Sequence, residues 1–254
     1  MTRLVRVQTP QGPCAGIVVG ETVHACAAPF AEELQAGDAL MPLAEAQLLP
    51  PVRPSKIVCV GRNYAAHAAE HGADVPSEPM LFLKPPSALV GAGAAIELPP
   101  SSAQVEHEVE LAVVVGKRAR DVAAEDALGY VLGYTCANDV SARDFQRKDG
   151  QWGRAKGFDT FCPLGPWVVT DLNPADLALR AWVNDELRQE SRTSRMVFDV
   201  PALIAFISGI MTLEPGDVIL TGTPEGVGPL HAGDTVRVEV DGVGVLSNPV
   251  TARS

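Results

Sequence analysis

Gln104-Val-Glu-His-Glu-Val-Glu-Leu111 is the stretch on which the reading of this 254-residue chain turns. Glu106, Glu108 and Glu110 alternate with His107, Val109 and Leu111, and the apolar run 112–115 follows directly. That period of two predicts a β-strand entering a core, with all three carboxylates on one face. Carboxylates two positions apart on a strand are separated by about 6.6 Å at Cα, near enough to converge on one ion. Like charges held side by side repel, so the pattern calls for a cation between them.

Working outward, residues 129–136 predict a second apolar strand. It delivers Asp139 where strand becomes loop, a common position for a site residue carried by a rigid scaffold. Upstream, residues 56–60 predict a strand, and Asn63 reads as the N-cap of a short Ala-rich helix over 64–71, stopped by Gly72. His67 and Glu70 fall on one face of that helix, where the carboxylate can align the imidazole as a general base. The competing reading of the pair is a solvated helix face. His67-Ala-Ala-Glu-His71 also satisfies the H-x-x-E-H pattern of inverted zinc peptidases. That site needs a longer helix and a third ligand from a later one, whereas Gly72 ends this helix at once and the acidic cluster lies on a strand.

Residues 1–54 read as a small N-terminal domain, with strands at 4–7, 16–19 and 22–25 and an Ala/Glu-rich segment, 30–48, with room for a helix or two. Leu49-Pro-Pro-Val-Arg-Pro54 is stiff and short of backbone donors, and it marks the boundary to a main domain over 55–254. Strands follow at 80–84 and 95–98, and a helical turn at 123–128. Residues 146–166 show no sustained period and read as a structured loop carrying Lys156. Hairpins turn near Asn184-Asp185 and at Asp241-Gly242. Asp199 caps a helix with Pro201 in its first turn, running to about residue 211. Thr221-Gly-Thr-Pro-Glu-Gly-Val-Gly228 lacks the Gly-Lys-Ser/Thr ending of a P-loop and no helical pattern follows, so its glycines serve to bring backbone amides close to a bound group. Strands outnumber helices and do not alternate with them, which disfavours a TIM barrel or doubly wound sheet. The expected fold is mixed, β-rich α+β, with mostly antiparallel strands and short helices.

Composition narrows the function classes. A formal charge of −11, with no basic stripe, disfavours nucleic acid as a partner. No apolar run is long enough for a membrane span, and the N-terminus enters a strand pattern with no long apolar leader, so the expected compartment is the cytoplasm. Five cysteines without a C-x-x-C pair predict reduced thiols rather than a disulfide frame or a zinc knuckle.

Six strings in order then resemble the fumarylacetoacetate hydrolase family. They are Gly61-Arg-Asn-Tyr-Ala-Ala-His67 with Glu70, Phe82-Leu-Lys-Pro85, His107-Glu-Val-Glu-Leu111, Asp139-Val-Ser-Ala-Arg-Asp144, Ala155-Lys156-Gly-Phe-Asp159 and the 221–228 loop. Asp149-Gly-Gln-Trp152 and Phe161-Cys-Pro-Leu-Gly-Pro166 are similar to the bacterial branch that includes 2-hydroxyhepta-2,4-diene-1,7-dioate isomerases and acylpyruvate hydrolases. The resemblance implies a mixed β-roll, a homodimer, and Mg2+, Mn2+ or Ca2+ on Glu108, Glu110 and Asp139, with Glu106 in a supporting role. An all-oxygen donor set suits a hard cation and disfavours zinc.

The resemblance further implies a small 2-oxo or dicarboxylic acid substrate. His67, aligned by Glu70 on a lid-like segment, would act as base, Lys156 as oxyanion or water partner, and Arg143, Gln146 and Thr223 as substrate contacts. Stabilisation of an enolate serves hydrolysis, isomerisation and decarboxylation alike. The intact His/Glu pair places hydrolysis of a C–C bond first, and a non-catalytic metal-binding module last.

Overall fold

The computed structural model describes residues 1–253. Its centre is the strand Val109–Val115, buried along its whole length. Leu111, Val113 and Val115 pack into one apolar cluster, and Ala112 and Val114 into another. A run of β-branched residues buried on both faces belongs inside a sheet, and this strand lies between Val131–Asn138 and Val218–Leu220.

The large sheet runs from an edge at Ala39–Pro42 through Thr22–Ala25, Gly12–Val19, Arg3–Thr9, Cys162–Val169, Val131–Asn138, Val109–Val115, Val218–Leu220 and Ile57–Gly61 to the other edge at Met80–Lys84. Neighbours along it are antiparallel except Val218–Leu220 with Ile57–Gly61. The N-terminal segment therefore extends the main sheet, with Arg3 opposite Val169. A five-stranded sheet packs over the Leu111 face. It contains both expected hairpins, Ala178–Val183 with Glu186–Arg192 and Thr235–Val240 with Gly244–Ala252. A small third sheet joins Ser141–Ala142, Val105–His107 and Gly228–Pro229.

The α-helices are short: α1 Ala65–Glu70, α2 Arg143–Asp149, α3 Gly153–Lys156 and α4 Val200–Ile210. Asp199 caps α4 as expected, its side chain accepting from Ala202 N. Among the described residues no helix is long and apolar enough to cross a membrane. All five cysteines are free thiols.

Four local expectations are corrected. The 104–115 stretch is two strands in two sheets, broken at Glu108, whose N–H donates to Asn138 Oδ1 at 2.9 Å instead of to a ladder. Segment 30–48 forms no α-helix; it holds the strand Ala39–Pro42, one 3-10 turn and the first residue of the strand Leu48–Leu49, because Gly37 and Pro42 interrupt it. Asn63 does not cap α1. Its buried amide instead donates to Phe198 O and Thr221 O and accepts from Phe198 N, joining three segments. The predicted loop 146–166 holds the end of α2, all of α3 and the start of the strand Cys162–Val169.

Candidate metal centre and active site

Glu108 sits at the strand break, Glu110 one turn of the pleat inside Val109–Val115, and Asp139 just past the end of Val131–Asn138. The two strands are paired with Val109 opposite Asn138, and Asp139 N donates to Glu108 O at 2.9 Å. That register brings carboxylate oxygens of all three residues within 4.8 Å of one another, all three side chains being buried.

Three cations surround them. Lys156, at the end of α3, places Nζ 2.7 Å from both Glu108 Oε2 and Asp139 Oδ2. Lys84, the last residue of Met80–Lys84, donates to Asp139 Oδ1 at 2.6 Å and to Val140 O. Arg143 opens α2, with Nε 2.7 Å from Glu106 Oε2, Nη2 2.6 Å from Glu108 Oε1 and Nη1 on Gln146 Oε1 at 2.8 Å. Glu106 thus supports Arg143 and does not face the three-carboxylate cluster.

The electrostatics leave one carboxylate without a counterion. Burial pushes the Glu108 carboxyl up, but Lys156 and Arg143 outweigh it and hold it below the usual carboxylate range. Burial first, then the charges on Asp139 and Glu108, push the Glu110 carboxyl well above that range. Among the described residues the one hydrogen bond to its carboxylate is from Gly222 N at 2.6 Å, and none forms an ion pair with it. Four buried carboxylates (Glu106, Glu108, Glu110 and Asp139) face three buried cations (Lys84, Arg143 and Lys156), so one negative charge is uncompensated. A buried cluster in that state takes up a proton or a cation. Hard oxygen donors around an uncompensated Glu110 fit a divalent ion of the Mg2+ or Mn2+ type. Its two positive charges would reverse the sign of the pocket and make it attractive to anions.

His67 lies on the wall of the same cavity. His67 is on the buried side of α1, its Nδ1 3.1 Å from Glu70 Oε2. Glu70 Oε1 accepts from Gly226 N at 3.0 Å, which ties α1 to the glycine-rich loop. Gly226 has φ +91°, and a Cβ there would stand 2.2 Å from Arg188 O, so only glycine permits this approach. The His71 ring meets the His67 ring edge-on at 4.7 Å. Burial, then Arg143 and His67, hold the His71 imidazole below its usual range. The zinc peptidase arrangement is not assembled: α1 has six residues, and among the described residues no ligand from another helix joins His67, Glu70 and His71.

One cavity of about 270 Å³ is lined by His67, Glu108, Glu110, Asp139, Arg143, Gln146, Lys156 and Thr223 together. Of the nine expected site residues only Glu70 is not on that wall, because it stands behind His67. Sequence reasoning passed over Lys84, Arg62, Trp152 and Arg147. Lys84 stood inside the string Phe82-Leu-Lys-Pro85 but was given no role there; the other three line the cavity.

A mixed β-roll whose buried carboxylates share one cavity with His67, itself backed by Glu70, is the arrangement the chain presents for comparison with known enzymes. The chain belongs to the fumarylacetoacetate hydrolase family: the model described as fumarylacetoacetate (FAA) hydrolase C-terminal matches residues 56–251. A second model, Rv2993c-like N-terminal, matches residues 2–51. Members of the family are enzymes, with isomerases, hydrolases and tautomerases among the chain's relatives. The chain is 49% identical over 215 residues to the mitochondrial oxaloacetate tautomerase fahd2 of Xenopus laevis, covering 80% of this chain and 67% of the relative. It superposes with a TM-score of 0.92 at 47% identity on the 2-hydroxyhepta-2,4-diene-1,7-dioate isomerase of Mycobacterium marinum, covering 100% of each chain. The maleylpyruvate hydrolase of Sphingobium sp. SYK-6, solved in complex with manganese(II) and pyruvate, gives 0.82 at 36% identity over 99% of this chain and 100% of that one.

Proposed function

We propose that this chain is a divalent-cation-dependent enzyme of 2-oxo acids that hydrolyses a C–C bond of an acylpyruvate-type substrate. The observation that carries the reading is that His67, backed by Glu70, lines the same cavity as Glu108, Glu110 and Asp139. Mg2+ or Mn2+ held by those three carboxylates would act as a Lewis acid toward the oxygens of the 2-oxo acid.

The protein groups then divide the work. Glu70 accepts the Nδ1 proton of His67, which leaves Nε2 with the lone pair that takes a proton from water. The water oxygen bonds to the distal carbonyl carbon, the C3–C4 bond breaks, and its electron pair passes into the enolate of pyruvate, which is then protonated at C3. Lys156 places a positive charge beside the developing anion. The Gln146 amide is free to donate its N–H groups because its oxygen is taken by Arg143. Arg62 and Arg147 add positive charge to the cavity wall, suited to a substrate with a second carboxylate. A homodimer belongs to the same proposal, and sedimentation of the purified chain tests it.

A second reading, a proton shift on the same substrate class, is favoured by identity: the tautomerase and isomerase relatives stand at 49% and 47%, the hydrolase at 36%. For it, His67 would move the proton on the carbon next to the 2-oxo group. One experiment separates the readings: acetylpyruvate, fumarylpyruvate, oxaloacetate and a 2-hydroxymuconate-type diene acid are incubated with the chain and Mn2+, and products identified. Pyruvate plus acetate or fumarate from the two acylpyruvates is the expected result, an isomer or tautomer of oxaloacetate or of the diene acid without cleavage supports the second reading, and the absence of any metal-dependent product overturns both.

A further inference from the structure

Behind the cavity lies a buried polar chain that the proposed mechanism does not use. Gln189, on Glu186–Arg192, is 1% exposed. Its Oε1 accepts from Val109 N at 3.0 Å and stands 3.0 Å from His107 Nδ1. Its Nε2 donates to Thr223 Oγ1 at 2.9 Å and to Pro224 O at 2.8 Å. A backbone N–H only donates and a backbone carbonyl only accepts, so Val109 and Pro224 together admit one orientation of this amide. Turning it over would set an NH2 group against an N–H and a carbonyl against a carbonyl.

Two assignments follow from that orientation. His107 Nδ1 faces a carbonyl oxygen, so it carries the ring proton, which leaves the buried Nε2 as an acceptor with no partner. Thr223 Oγ1 is an acceptor toward Gln189, so its own proton must point elsewhere. No described residue accepts that proton, and Thr223 is on the cavity wall with Glu108, Glu110 and Asp139. With the amide reversed, Thr223 would donate to Gln189 and turn lone pairs toward the cavity, repelling an anion. His107 also pairs with Gly228, at the far end of the loop that holds Thr223, so the network brackets the loop as well as orienting the hydroxyl.

We propose that Gln189 and His107 are positioning residues that commit the Thr223 hydroxyl to donating a hydrogen bond to an anionic oxygen of the bound 2-oxo acid. The inference rests on the reading of the cavity as a 2-oxo acid site.

The test uses the full chain with Mn2+, measuring KM and kcat for whichever 2-oxo acid the panel shows to turn over, and calorimetric binding of oxalate as an unreactive anion. Thr223→Val raises KM and the oxalate Kd by about 10- to 100-fold, the loss of one hydrogen bond to a charged group, and Thr223→Ser recovers most of the loss. Gln189→Glu, nearly isosteric, replaces the NH2 donor by an acceptor, so it draws the Thr223 proton inward and reproduces the Thr223→Val effect. Gln189→Leu raises KM in the parent but adds nothing to Thr223→Val, because a residue acting through another shows no further effect once that residue is gone. Nitrogen NMR of the parent protein places the His107 proton on Nδ1, a readout that needs no variant to fold. Additive effects of Gln189→Leu and Thr223→Val, or a proton on Nε2, overturn the role of Gln189 while leaving the function standing. A parent protein that binds neither oxalate nor any 2-oxo acid overturns the reading of the cavity, and the donor role with it.

Discussion

Glu70 accepts a hydrogen bond from the backbone N–H of Gly226 at 3.0 Å, so the carboxylate that faces His67 also anchors the glycine-rich loop. The helix bearing His67 and the loop bearing Thr223 therefore share one clasp. Gly226→Ala forces a Cβ against Arg188 O at a left-handed φ, and the loop must shift. The expected outcome is a loss of about 1–3 kcal/mol in urea unfolding, with kcat/KM falling at least tenfold as the clasp opens.

Removing divalent metal by exhaustive chelation is expected to abolish turnover, and restoring Mn2+ to recover it. Glu108→Ala loses the metal, seen by calorimetry. His67→Ala keeps the metal and lowers kcat by about 10²- to 10⁴-fold, the usual contribution of a general base. Loss of metal from His67→Ala would instead revive a zinc site on α1.

His71 meets the His67 ring edge-on and donates its backbone N–H to His67 O at 3.3 Å, and its ring stands partly open to solvent. His71→Ala is expected to lower kcat less than tenfold, in contrast to His67→Ala under the same assay.

Lys84 and Asp139 form an ion pair with both side chains fully buried. Removing one partner of such a pair leaves an uncompensated charge, so Lys84→Met is expected to cost about 3–5 kcal/mol in urea unfolding of the metal-free protein. A change of less than 1 kcal/mol would show that the pair contributes nothing to the scaffold.

Acid stability carries a signature of Asp217, which accepts from Ser55 N, Ser55 Oγ, Lys56 N and Glu214 N and pairs with Lys56 Nζ. Burial raises its carboxyl, but these donors together outweigh burial and hold it below the ordinary value of 3.8. A depressed carboxylate contributes stability that is present above the unfolded-state value and lost as pH falls through the folded one. Asp217→Asn should therefore destabilise the protein at pH 7, and the gap between variant and parent should close below about pH 4.

Much of the architecture was legible because its signals are local. The apolar run 112–115 after the alternating 106–111, the turns at Asn184-Asp185 and Asp241-Gly242 and the Asp199 cap each depend on residues within a few positions of one another. The short helices α2 and α3 were not legible. Each is at most two turns and is held by tertiary contacts rather than by its own propensity.

The candidate site divides in the same way. From sequence alone it followed that Glu108 and Glu110 stand close enough to share an ion, that Asp139 follows the end of a second strand, that His67 and Glu70 share a helix face, and that the carboxylates call for a cation. Period and spacing are properties of the backbone, and they need no knowledge of the fold. Only the tertiary structure decided that the strand breaks at Glu108, that Lys84 reaches Asp139 from 55 positions away, that Lys156 bridges two carboxylates, and that Gln189 turns Thr223 toward the cavity. Those contacts are set by which strands lie side by side, and burial of apolar faces, not local pattern, selects that pairing.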